Sequence, residues 1–170
     1  MGLMGDLGLI GYMKNFVKFV ISFVLVVFYF FLPQFVFPDG GIIGHALYPL
    51  SHANIFHLLA NILCLWMISC ELHFTTSFLL AALCSFLPCF VSEPTMGFSG
   101  VLFSVIGISW GNAHRFKDMI WRNKWFLVVP VFIPHVNAFI HIYCLLAGYV
   151  VGRIGLIGKI GIDRRFGDLV

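Results

Sequence analysis

Glu93-Pro94-Thr95-Met96-Gly97-Phe98-Ser99-Gly100 passes without a break into Val101-Leu102-Phe103-Ser104-Val105-Ile106-Gly107-Ile108, so an acidic, proline-marked loop turns into an apolar run that opens on a serine. Whether lipid or a protein core solvates such a run is a question of composition. Of 170 residues, 61% are hydrophobic and 10% charged, with a mean hydropathy of +1.00. Ordinary globular chains, which must cover an apolar core with a polar surface, do not reach such values. The chain is therefore expected to be a single all-α, polytopic membrane domain over residues 1–170. It carries no soluble domain, charge run or low-complexity tract, and no nucleic-acid partner is expected.

Working outward from Ser99, charged residues and turn formers divide the sequence into six apolar stretches. They lie at about 16–37, 54–73, 75–92, 99–116, 120–134 and 136–158, where about 20 helical residues cross a bilayer core. The third and fifth are short. The ten basic residues are Lys14, Lys18, Arg115, Lys117, Arg122, Lys124, Arg153, Lys159, Arg164 and Arg165. With six spans all of them fall on one side, and a count shifted by one span would scatter them. The bias of Lys and Arg towards the inner face then puts both termini in the cytoplasm, and a bacterial inner (plasma) membrane is the expected location. The first apolar stretch is too long for a cleavable signal, and no small-residue cleavage site follows it. Gly107 with Gly111 and Gly148 with Gly152 are four apart, the spacing that lets helix backbones approach closely in lipid. They predict tight packing of the fourth span against the sixth.

Polar groups at membrane depth are costly and so mark candidate sites. His57 and Asn61 share one helical face of the second span. By themselves they read equally well as tethers between helices or as donors to a developing oxyanion. Ser99 alone would be a cap or a packing residue, and His141 alone a hydrogen bond between helices. Together they meet the requirement that a neutral imidazole deprotonate a hydroxyl. No carboxylate lies in the fourth or sixth span, so the arrangement is a dyad, and Glu93 reads as a solvated loop residue. The five cysteines Cys64, Cys70, Cys84, Cys89 and Cys144 lack metal or redox spacing and read as packing residues. No metal or other cofactor is expected, and the absence of H-E-x-x-H disfavours a zinc protease.

These residues carry a resemblance. His52-Ala53-Asn54-Ile55-Phe56-His57-Leu58-Leu59-Ala60-Asn61 is similar to the H-x-x-x-x-H-L-x-x-N run in the second span of rhomboid intramembrane serine proteases. Gly97-Phe98-Ser99-Gly100 resembles their G-x-S-G motif, and His141 with Gly148 fits most of H-x-x-G-x-x-x-G. The resemblance implies a six-helix bundle in which Ser99 is the nucleophile and His141 the general base. It implies an oxyanion site made by His57, Asn61 and the Ser99 N–H. His52 would support the first outer loop, Phe103 would lie against His141, and Gly97 and Gly100 would shape the turn. The implied partners are transmembrane substrates in a lipid bilayer. Two departures stand out: the first outer loop has Gly40-Gly41-Ile42-Ile43-Gly44 in place of a Trp-Arg pair, and Cys144 replaces the first glycine after the histidine. Pro130 and Pro134 would weaken the fifth span, and read equally well as an ordinary kink or as the mark of a moving gate. Two other classes compete with a protease: a non-catalytic rhomboid relative that binds transmembrane clients, and a membrane cytochrome using His52, His57 and His141 as haem ligands.

Overall fold

Proline and glycine decide where the helices of this apolar chain stop and start. The computed structural model describes residues 2–68, 73–87, 94–112, 121 and 137–155. Helix α1 covers Gly2–Phe31, α2 Gly41–Leu47, α3 Ile55–Met67, α4 Phe74–Ser85, α5 Ser99–Asn112 and α6 Ala138–Arg153, with a 3-10 turn at Tyr48–Leu50. Among the described residues the regular elements are all helical, and the one β pairing is an isolated antiparallel bridge, Phe37 to Thr95. The fifth span at 120–134 (Trp121 excepted), Glu93, Cys70, Cys89, Pro130 and Pro134 lie outside the described residues.

Several boundaries differ from the expected ones. The first helix ends at Phe31 instead of running on to residue 37, because Pro33 lacks an N–H and disfavours helical backbone at the residue before it. The first outer loop is also more structured than expected. It holds α2 and the 3-10 turn, and at Gly40 and Gly44 an added Cβ would run into the Val36 carbonyl. Of the described helices, Tyr12–Phe31 within α1 is long and apolar enough to cross a bilayer alone. Gly41–Leu50 and Ile55–Met67 form a pair bent by 63°, and Phe74–Ser85 and Ala138–Arg153 are shorter apolar helices.

Helix α5 is the centre of the bundle, buried from Gly100 to Ile108 and again at Trp110 and Gly111. Its main partner is α6, with α4 packed on both. The α5–α6 contact interlocks. A Cβ at Gly107 or Gly111 would strike the carbonyl oxygen of Leu145 or Tyr149, and one at Gly148 or Gly152 that of Ser104 or Ile108. Each helix thus presents glycine to the other's backbone, so dispersion and weak Cα–H···O contacts act at close range, where lipid provides no hydrophobic drive. The Ser104 hydroxyl donates to the Cys144 carbonyl at 3.2 Å across the same contact.

Helix α3 is tied to α1 at its far end. The Lys18 ammonium, 7% exposed, donates to the carbonyls of Ile68 at 2.6 Å and Trp66 at 3.2 Å. It thereby satisfies acceptors that a helix end leaves open and places a cation at the negative pole of the helix. Read from sequence as a charge flanking the first span, Lys18 is a buried cap instead.

Gly148→Leu is expected to cost at least about 1–3 kcal/mol, the usual range for overpacking a tight contact. Gly155 has nothing within 4 Å of a built Cβ, but its φ is +66°. Asn tolerates that backbone region, so Gly155→Asn is the matched control and should change little. Thermal unfolding in detergent checks this; equal losses would show that the glycine contact does not hold α5 to α6.

Candidate active site

The first residue of α5 is Ser99, so its N–H belongs to the first helical turn, which lacks intrahelical acceptors. The turn before it is fixed from two sides. The Gly97 N–H donates to the Tyr48 carbonyl at 2.9 Å, and Phe37 and Thr95 exchange backbone hydrogen bonds of 2.9 and 3.2 Å. Gly97 has φ +128°, and a Cβ there would lie 2.7 Å from the His57 ring. Glycine is needed twice over, for the backbone conformation and for the closeness of the imidazole. At Gly100 a Cβ would meet the Tyr48 hydroxyl at 2.8 Å and the Cys144 sulfur at 3.3 Å.

Helix α6 delivers His141 four residues after its cap, Asn137. Its Nε2 lies 2.7 Å from the Ser99 Oγ, a separation at which an unprotonated Nε2 accepts the hydroxyl proton. The Phe103 ring stacks on the imidazole, with centroids 4.6 Å apart and planes within 6°. Among the described residues the buried His141 Nδ1 has no hydrogen-bond partner, so packing against Phe103 orients this ring.

Helix α3 supplies the polar face opposite. Asn54 caps it by accepting from the His57 N–H at 2.9 Å. Asn61, 4% exposed, donates from Nδ2 to the His57 carbonyl at 2.9 Å. An amide nitrogen carries two N–H bonds, so this contact engages one of them. His52, in the connection ahead of α3, is buried and lies edge-on to His57 with centroids 5.2 Å apart. Burial first, and the nearby His57 second, push the His52 imidazole down to about 3, so it is neutral at physiological pH. The His52 N–H donates to Gln34 Oε1 at 2.8 Å, and the Phe35 N–H donates to Ser51 Oγ at 2.7 Å, which holds the loop after α1 against the start of α3.

A family model described as the Rhomboid domain matches residues 39–159, which is well over half of the chain. The chain belongs to the rhomboid family. Every site residue named from the sequence falls inside the matched region, which begins after α1. Neither the curated proteins nor the solved structures gave a match. Rhomboid proteins are integral membrane proteins and in general intramembrane serine proteases, although inactive members exist.

Several residues of this candidate site were not singled out from the sequence. Asn137 could have been found as a capping residue three before Ile140, whose N–H it accepts at 3.4 Å. Tyr48 and Thr95 gave no signal, because their part depends on contacts far away in the sequence.

Gly97→Ala should slow labelling of Ser99 by a fluorophosphonate probe, because the new methyl group displaces His57 and strains the backbone by about 1–3 kcal/mol. Gly41→Ala makes the comparison: its φ is +56° and nothing lies within 4 Å of a Cβ. Second-order labelling rates in detergent decide, and equal rates for the two variants would remove the steric role given to Gly97.

Proposed function

We propose that this rhomboid protein is a serine endopeptidase that cleaves transmembrane helices near the outer face of the membrane with a Ser99–His141 dyad. The 2.7 Å contact between Ser99 Oγ and His141 Nε2 carries the reading. It joins residues 42 apart in sequence, and Phe103 packs the imidazole in the orientation the contact requires. His141 takes the hydroxyl proton as Ser99 attacks a peptide carbonyl, then protonates the departing amine. A water activated by the same imidazole hydrolyses the acyl-enzyme, restoring Ser99. His57, Asn61 and the Ser99 N–H stabilise the oxyanion. The Gly97–His57 approach supports this, since it keeps that imidazole beside the nucleophile turn.

The substrate is a helix that unwinds locally, because a peptide bond inside an intact helix offers no carbonyl to attack. Six spans with both termini on the cytoplasmic side of a bacterial inner membrane complete the proposal. The one-sided placement of all ten basic residues supports it, as does the Lys18 cap, which pairs the early part of α1 with the end of α3.

Ser99→Ala and His141→Ala should each abolish cleavage of a model transmembrane substrate by purified, folded protein. Asn61→Ala should lower turnover by about 10²–10³, the usual loss for one oxyanion donor, and still permit fluorophosphonate labelling. Cleavage by purified Ser99→Ala would overturn the dyad. Loss of labelling in folded Asn61→Ala, or no effect on turnover, would return Asn61 to a tether between helices.

A further inference from the structure

Ser99 opens α5, so no part of that helix extends beyond the dyad on the side of the preceding loop. The glycine contact at Gly107 and Gly148 fixes α5 to α6 on the other side of the dyad. Helices joined along only part of their length can still separate at a free end, and the dyad sits at such an end. On that open side the Asn137 Nδ2 donates to Thr95 Oγ1 at 2.9 Å. The Asn137 Oδ1 accepts from the Ile140 N–H of the first turn of α6. Thr95, 8% exposed, is held in turn by its two backbone hydrogen bonds to Phe37. Asn137 precedes His141 by four residues, and Thr95 precedes Ser99 by four. One amide side chain therefore joins the cap of the histidine helix to the loop that presents the serine.

We propose that Thr95 and Asn137 are positioning residues that set the distance between Ser99 and His141. The proposal rests on the dyad reading above. The two attachment points act together: the glycine contact sets how closely the helices approach, and the Thr95–Asn137 hydrogen bond sets how far the ends that carry the reacting groups separate. The same amide holds Thr95 with its Nδ2 and the first turn of α6 with its Oδ1, so the clamp couples that helical turn to the serine loop. Proton transfer is steep in distance. Misplacement by about 1 Å can cost about 10²-fold in rate, and loss of one neutral clamp is expected to cost about tenfold or more.

Thr95→Val keeps the shape and removes the acceptor. Its expected signature is a kcat for a model transmembrane substrate, and a fluorophosphonate labelling rate, about tenfold or more below the parent, with KM near the parent value. Thr95→Ser, which keeps the hydroxyl, should recover both. Thr95→Val combined with Asn137→Ala should lose no more than the worse single variant, because both remove the same link. Parent-like rates in folded Thr95→Val, or a loss that Thr95→Ser fails to recover, would overturn the clamp. If the parent itself is neither labelled nor active, the protease reading fails, and amide hydrogen exchange still tests the clamp. Thr95→Val should speed exchange at residues 138–141 severalfold, and unchanged exchange there would overturn it.

Discussion

The glycine contact between α5 and α6 is the constraint on which the rest of the structure depends. Lipid tails are as apolar as leucine, so bulk apolar side chains do not drive helices together inside a bilayer. Close approach must come from the backbones, and it is reciprocal here: Gly107 and Gly111 admit carbonyls of α6, while Gly148 and Gly152 admit carbonyls of α5. Ser99 lies at the start of α5 and His141 in the first turn of α6. That interlock brings the two helices close enough for the 2.7 Å contact between them. Cys144, which stands where the family pattern has glycine, fits within it. It is fully buried, and Gly100 supplies the space that its sulfur occupies.

A second set of ties works at the end where the helices stop. The loop after α1 is pinned to Ser51 and His52 ahead of α3 through Phe35 and Gln34, and to Thr95 through Phe37. His45 stacks between Phe37 and Phe86, with centroids 5.3 and 4.1 Å away, and its Nδ1 meets Ser85 Oγ at 2.9 Å. The chain lacks the family's Trp-Arg pair in this region, and these aromatic and hydroxyl contacts attach α2 to the C-terminal end of α4 instead. The turn that carries Ser99 is thus supported by α2, the 3-10 turn, the Phe37 strand segment and the cap of α6.

Much of the class of molecule and the members of the candidate site could be read from the sequence. Composition required a lipid-solvated, all-helical chain, and the four-residue glycine spacing named the helix pair that packs most closely. Ser99, His141, His57 and Asn61 could be named because each is a polar group at a depth where polarity is costly, in a pattern shared with the rhomboid family. The helix caps Asn54 and Asn137 could have been read as well, since capping is a local matter of three-residue spacing, but neither was singled out. Tertiary structure alone decided what depends on distance between remote segments. Lys18 read as a flanking charge, and only the position of α3 beside α1 makes it a buried cap. Thr95 and Tyr48 gave no sequence signal, because a hydrogen bond across dozens of residues leaves no periodicity behind. Helix α2 left no mark either, since seven residues hold no repeat long enough to register. Periodicity and composition record what a residue does for its own helix; the separation of Ser99 from His141 belongs to two helices at once, and only their packing sets it.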